Sequence, residues 1–226
     1  MTFLRAFAGG FSLILAGLGL ELAHAAPPIE AYGALPTVRS MEMSPSGDKV
    51  VFIQTVNGDD YLVTYDFETG APQALSNVSG IKAGGATFAG DDFILLRGSK
   101  TTSTFGYRGQ YEFSAAFSYD VKKKKTRQLL RGTEGLYPAQ GGLGEIVGIA
   151  EGGEKVFMPA YMGQSENPPR NLLRVSLATG RGASPIRGST HTLDWIMSPD
   201  GAVLAREDMN GKRDEYKILT RKGNKW

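Results

Sequence analysis

The sequence predicts an all-β chain: a partial or small β-propeller of about four blades, each a four-stranded antiparallel sheet. Three observations predict it. A tight-turn motif returns at blade-like intervals, a β-rich segment follows each copy, and no amphipathic helix of ordinary length occurs after the first 25 residues. The turn motif is intact twice. Met43-Ser44-Pro45-Ser46-Gly47-Asp48-Lys49 leads into Val50-Val51-Phe52-Ile53, and Met197-Ser198-Pro199-Asp200-Gly201 leads into Ala202-Val203-Leu204-Ala205. Proline presets φ at the second turn position, Ser or Asp suits the third, and glycine takes the left-handed conformation that closes a hairpin. Degenerate copies are Phe88-Ala89-Gly90-Asp91-Asp92 before Phe93-Ile94-Leu95-Leu96, and Ala150-Glu151-Gly152-Gly153-Glu154-Lys155 before Val156-Phe157-Met158.

Each copy precedes a second strand that runs into a polar turn. These are Tyr61–Asp66 before Glu68-Thr69-Gly70, Phe117–Val121 before Lys122–Lys125, Leu172–Leu177 before Ala178-Thr179-Gly180, and Tyr216–Thr220 before Arg221–Asn224. A further strand is expected after each, which gives about four per repeat. The turn glycines Gly47, Gly90, Gly153 and Gly201 are spaced by 43, 63 and 48 residues. Propeller blades recur at roughly 40–50 residues. The longest interval therefore carries an insertion, expected at Gly98–Gln110 or at Gly132–Gly144. A β-sandwich is the competing architecture, but it leaves the returning Ser-Pro-x-Gly turn unexplained.

Met1–Ala25 reads as a secretory signal peptide. Arg5 is its basic region, Phe7–Leu20 its apolar core, and Ala23-His24-Ala25 a small-x-small cleavage site before Ala26. The apolar run is shorter than the ~20 residues of a membrane span, so no stable membrane anchor is expected. The expected mature chain, residues 26–226, is the propeller domain, located in the periplasm or secreted. Its composition is that of a folded domain, with 41% hydrophobic and 21% charged residues. The absence of cysteine from the sequence excludes a disulfide scaffold, a thiol nucleophile and a cysteine zinc site. A net charge of +2 gives no reason to expect a nucleic-acid partner.

Pro27-Pro28-Ile29-Glu30-Ala31-Tyr32-Gly33-Ala34-Leu35-Pro36, with Val38 and then Met43-Ser44-Pro45-Ser46-Gly47, resembles the mature start of a bacterial enzyme of the prolyl oligopeptidase family. These are secreted serine peptidases of the dipeptidyl-aminopeptidase or acylaminoacyl-peptidase type. The resemblance covers Pro27–Trp226, and other propellers, TolB-like ones included, share the Ser-Pro-Asp-Gly turn. It implies an N-terminal propeller that limits access to an α/β-hydrolase domain, whose nucleophile sits on a G-x-S-x-G elbow. No G-x-S-x-G occurs in this sequence. No catalytic, cofactor-binding or metal-ligating residue is therefore assigned, and no cofactor is expected.

Other features read as structural. His191, Asp194 and Ser198 are close in sequence, but Ser198 opens a turn where its hydroxyl is expected to bond nearby backbone. Asn57-Gly58-Asp59-Asp60 and Glu207-Asp208, Asn210-Gly211, Asp214-Glu215 are oxygen-rich clusters without calcium-loop spacing, read as solvated turns. Lys122–Lys125 reads as a hairpin turn and Gln164–Pro169 as an exposed loop. Tyr32, Tyr107, Tyr111, Tyr137, Tyr161, Trp195 and Trp226 are candidates for a peptide-binding face, with packing the expected role of aromatics inside blades.

Two readings of function follow. In the first, the chain is the substrate-gating propeller portion of a prolyl oligopeptidase-like peptidase, truncated before its catalytic domain and inactive alone. Its partner is then a peptide substrate. In the second it is a self-standing, TolB-like secreted binding protein. Lys225-Trp226 looks like the start of another strand, so the last blade is expected to be incomplete and its strand edges open to self-association.

Overall fold

A computed structural model describes residues 28–33, 36–103, 108–223 and 225–226. The chain divides into two compact units, Met1–Leu35 and Pro36–Trp226. The expected signal segment lies outside the described residues. In the first unit the described element is a one-turn helix, α1 (Ile29–Gly33), with Ile29 and Tyr32 exposed. Among the described residues no helix is long and apolar enough to cross a membrane.

The second unit is an all-β propeller of four sheets in chain order. Sheet one contains β1 (Val38–Met43), β2 (Lys49–Val56), β3 (Asp59–Asp66) and β4 (Ala71–Asn77). Sheet two contains β5 (Lys82–Ala89), β6 (Phe93–Thr102), β7 (Tyr111–Asp120) and β8 (Lys125–Gln128). A short β9 (Gly142–Leu143) pairs parallel with β7 at Ser114 and Ala115. Sheet three contains β10 (Gly148–Ile149), β11 (Lys155–Tyr161), β12 (Arg170–Ser176) and β13 (Gly182–Ile186). Among the described residues sheet four has three strands, β14 (Thr192–Met197), β15 (Val203–Asn210) and β16 (Glu215–Thr220), after which Lys222 bridges back to Lys225.

The four repeated turns join β1 to β2, β5 to β6, β10 to β11 and β14 to β15, and the second repeated elements are β3, β7, β12 and β16. Both flagged stretches contribute to the long interval. The hairpin of β6 and β7 is ten residues on each side, and residues 129–147 link sheets two and three, where residues 78–81 and 187–191 suffice for the other links. Sequence patterning did not anticipate the parallel β9. The β2–β3 hairpin closes through a two-residue turn with Asn57 (φ 53°) and Gly58 (φ 88°) both left-handed, the twist that flanking strands favour.

Side-chain alternation builds three cores, one between each pair of successive sheets. In β6, Ile94 and Leu96 join the core between sheets one and two with Val51, Ile53 and Leu62, whereas Phe93 and Leu95 face sheet three. In sheet three, Val156, Met158, Leu173 and Val175 face sheet two, while Phe157 and Leu172 face sheet four, where they meet Trp195. The two middle sheets are thus apolar on both faces. Each fully buried leucine or isoleucine contributes about 1.5–3 kcal/mol.

The order of the sheets is enforced at one end by turn-on-turn packing. The backbone N and Oγ of Ser46 donate to Asp91 Oδ1 at 3.1 and 2.8 Å, joining the turns of sheets one and two. A Cβ on Gly153 would lie 2.6 Å from Gly90 N, and one on Gly201 would lie 2.8 Å from Ile149 O. Turns two and three, and three and four, are therefore in backbone contact.

Gly153→Ala is expected to cost about 2 kcal/mol or more, because φ is +70° and the approach leaves no room for Cβ. Gly58→Ala, also at positive φ but with nothing within 4 Å of its Cβ, should cost about 1 kcal/mol. Urea unfolding of both variants measures the difference, which isolates the turn packing.

A second expectation concerns pH. Hydrogen bonds from Ser46, Lys49 and Ser44 hold the Asp48 carboxyl at about 2, and those from Ser99, Thr101 and Lys82 hold Glu112 at about 2. Arg39 and Thr55 lower Asp60. Lowered folded values favour folding above the ordinary carboxylate range, and that contribution disappears as these groups protonate. The melting temperature should be level above about pH 5 and fall continuously between about pH 4 and pH 2. A flat profile across that window would contradict it.

Candidate functional site

Antiparallel pairing sorts the connections to two faces. The repeated turns occupy one, and the opposite, loop face carries the hairpin turns after β2, β6, β11 and β15 together with the links between sheets. The one long link, residues 129–147, starts beside the β12–β13 turn, where Leu130 N donates to Gly180 O at 2.7 Å, and crosses to the loop face, where it forms a cleft of about 340 Å³ with β11 and β12.

This link is held as firmly as a strand. Leu136 bridges Met162, Tyr137 N donates to Tyr161 O at 2.9 Å, and Gly163 N donates to Gly135 O at 2.8 Å. Gln140 acts as a side-chain strand partner. Its Oε1 accepts from Tyr161 N at 2.9 Å, and its Nε2 donates to Tyr161 O and Tyr137 O, both at 3.0 Å. Opposite, Arg170 Nη2 pairs with Glu145 and its Nη1 donates to Leu193 O, which ties the cleft wall to sheet four. Arg170 is 17% exposed and Glu145 41%, so the carboxylate is the more accessible of the pair.

Tyr137, Tyr161, Gln140, Glu145 and Arg170 line the cleft with the backbone of Gly141 and Gly142. Two phenol rings and one charged pair suit contact with an extended polar chain. The arrangement supplies no nucleophile with an adjacent base.

Of the aromatic candidates, the structure brings Tyr137 and Tyr161 together here. Tyr111 stands at the start of β7 with its hydroxyl on Arg108 O at 2.8 Å. Tyr32 belongs to the first unit, and Tyr107 lies outside the described residues. Trp195 and Trp226 meet edge-to-face at 5.4 Å in the core between sheets three and four, with the Arg206 guanidinium 5.0 Å from the Trp226 ring. Their role there is packing.

His191, Asp194 and Ser198 are not brought together. His191 precedes the six-residue β14 and Ser198 follows it, which separates them by roughly 20 Å. The Ser198 hydroxyl is turned into its own turn, bonded to Asp200 and to Ala202 O and N at 3.1 and 2.9 Å. In the acidic clusters, Asp60 is held by Arg39 and Thr55. Asp208 is held by Arg206 at 2.8 Å and by Ser189 and Thr192 at 3.0 Å. Among the described residues no group of three or more His, Asp or Glu is placed to hold a metal ion. Lys122–Lys124 form the β7–β8 turn, with Lys122 on Asp92 at 2.7 Å, and Gln164–Pro169 lie in the β11–β12 loop.

Gln140, Glu145 and Arg170 did not stand out in the sequence. The available signal was indirect, since Gln140 falls inside the glycine-rich stretch recognised as an insertion.

No family model and no curated protein matches the chain. Among solved structures it is similar to TolB from Acinetobacter baumannii, at 13% identity over 81% of this chain and 43% of that one, with a TM-score of 0.41. Dipeptidyl peptidase 4 of Porphyromonas gingivalis is similar at 9% identity over 84% and 33%, TM-score 0.49. An oligogalacturonate lyase from Vibrio parahaemolyticus is similar at 14% over 81% and 54%, TM-score 0.46. The likeness is one of architecture. This chain spans between 33% and 54% of the lengths of those proteins, and no residue role is taken from them.

Gln140→Ala removes two hydrogen bonds between the link and β11 and a third within the link, to Tyr137 O. Loss of about 1–2 kcal/mol is expected, with faster hydrogen exchange at the Tyr161 amide and faster proteolysis within residues 129–147. Unchanged exchange at Tyr161 would show that the link is held without it.

Proposed function

We propose that this chain is the substrate-gating propeller portion of a secreted serine peptidase of the prolyl oligopeptidase kind, without a catalytic group of its own. The observation that carries the reading is the asymmetry of the two faces. One carries the stacked turns and a smaller, charged cleft of about 250 Å³ lined by Asp92, Asp120, Lys122 and Lys155, and the other presents the inserted link and the tyrosine-lined cleft. A gate needs a rigid rim and a surface on which an extended peptide can lie before it reaches a reactive centre. The resemblance of Pro27–Gly47 to the mature start of such peptidases, the returning Ser-Pro-x-Gly turn and the secretory leader read from Met1–Ala25 support the same conclusion.

A second reading, a self-standing binding protein of the periplasm, is favoured by one observation: the cleft is formed wholly by β11, β12 and the 129–147 link, and needs no further domain.

The test has two parts. The gene is expressed in a Gram-negative host, where the product should begin at Ala26, and purified chain is assayed with aminoacyl-nitroanilides. Turnover sensitive to serine-directed inhibitors would overturn the non-catalytic reading. The coding sequence downstream of the Trp226 codon is then read. A G-x-S-x-G segment in any frame is expected for the gating portion, and its absence would leave the binding protein.

A further inference from the structure

Sheets one and two do not close completely on each other at their outer strands. β8 is four residues long and leaves β7 after Gln128, opposite Phe117, and the β3–β4 ladder shifts register beside Leu62. A pocket of about 200 Å³ lies there, walled by Leu62, Leu96, Phe117 and Ile81. It reaches Asn77 of β4 and Thr126 of β8, both exposed, which gives it a way in from solvent. Gly98 makes room for the Ile81 wall, since a Cβ on Gly98 would lie 2.5 Å from Ile81 Cδ1.

One polar side chain belongs to this apolar space. Tyr119 is 6% exposed, lies on the face of β7 that carries Phe117, and lines the pocket. Among the described residues its hydroxyl has no hydrogen-bond partner, although a buried phenol ordinarily finds one. Burial, and then the neighbouring Asp120, hold its pKa above the ordinary value, so it remains a donor at neutral pH. No charged side chain lines the pocket.

We propose that this pocket binds a small, neutral, monocyclic aromatic molecule, and that Tyr119 donates a hydrogen bond to the one acceptor the molecule carries. Size sets the first limit. An apolar cavity of about 150 Å³ accommodates benzene, so about 200 Å³ has room for one ring and a short substituent. Charge sets the second, because an ionic ligand would lose its hydration against walls that offer no counter-charge. A saturated chain would fill the space, but it would leave the hydroxyl unpaired and forgo ring contacts with Phe117 and Tyr119. The site lies between sheets one and two, apart from the 129–147 cleft, and is independent of a gating role.

Titration of the purified full chain with acetophenone, ethylbenzene and benzoate, followed by methyl NMR, tests this. Acetophenone should bind and shift the methyl signals of Leu62, Leu96 and Ile81. Ethylbenzene, similar in shape but without an acceptor, should bind roughly tenfold more weakly, and benzoate should leave the spectrum unchanged. Tyr119→Phe should keep the wild-type melting temperature, because the hydroxyl has no partner to lose, and should bring acetophenone down to the affinity of ethylbenzene. Gly98→Ala, which drives Ile81 toward the pocket without altering a lining residue, should abolish binding of both. The Tyr119 comparison decides even if Gly98→Ala fails to fold. Equal affinities of acetophenone and ethylbenzene for the wild type, or a preference that survives Tyr119→Phe, overturn the proposal. So does acetophenone that leaves those methyl signals unmoved up to its solubility limit.

Discussion

The contact on which the rest of the structure depends is backbone against backbone, where Gly90 meets Gly153 and Gly201 meets Ile149 and Ala150. Sheets packed face to face are free to slide and to splay, since apolar burial has no direction. Turns in van der Waals contact at one end remove that freedom by setting the distance between successive sheets. The ion-and-hydroxyl cluster of Ser44, Ser46, Asp48 and Asp91 does the same between sheets one and two with hydrogen bonds instead of contact. Glycine is required where another turn's backbone would occupy the space of a Cβ.

The alternation of side chains then follows from position in the array. A sheet between two neighbours must be apolar on both faces, so Phe93-Ile94-Leu95-Leu96 and Val156-Phe157-Met158 are unbroken runs. Sheet one also buries Val50 and Val63 on the face away from sheet two, whereas sheet four has one such face. In sheet four Trp195 and Arg206 turn inward, while Ile196, Met209, Tyr216 and Ile218 are exposed on the other side. Polar groups follow the same geometry: Arg206 is 7% exposed, pairs with Asp208 and donates to Arg187 O.

The turns and the strands around them were legible in the sequence because their signals are local. Pro45-Ser46-Gly47 and Pro199-Asp200-Gly201 dictate φ over three residues, and the apolar runs that follow have the length of a strand. The cleft was not legible. Gln140 reaches Tyr161 across 21 residues, and Arg170 reaches Glu145 across 25, with no periodic mark at either end. Proximity in sequence was misleading in the other direction: His191 and Ser198 are seven positions apart, yet a full strand stands between them.

The repeats and the departures from them have different physical freedom. Residues shared by all four sheets are fixed by packing, because a change at a turn or a core position disturbs two neighbours at once. The 129–147 link is the place where one repeat differs most from the others, and there the chain has no neighbouring copy to match. A polar pair such as Glu145 on that link and Arg170 on β12 can form there without opening a core. Selection for binding acts most freely where the scaffold constrains least. The cleft lies at that departure from the repeat, although the fold itself is built from what recurs.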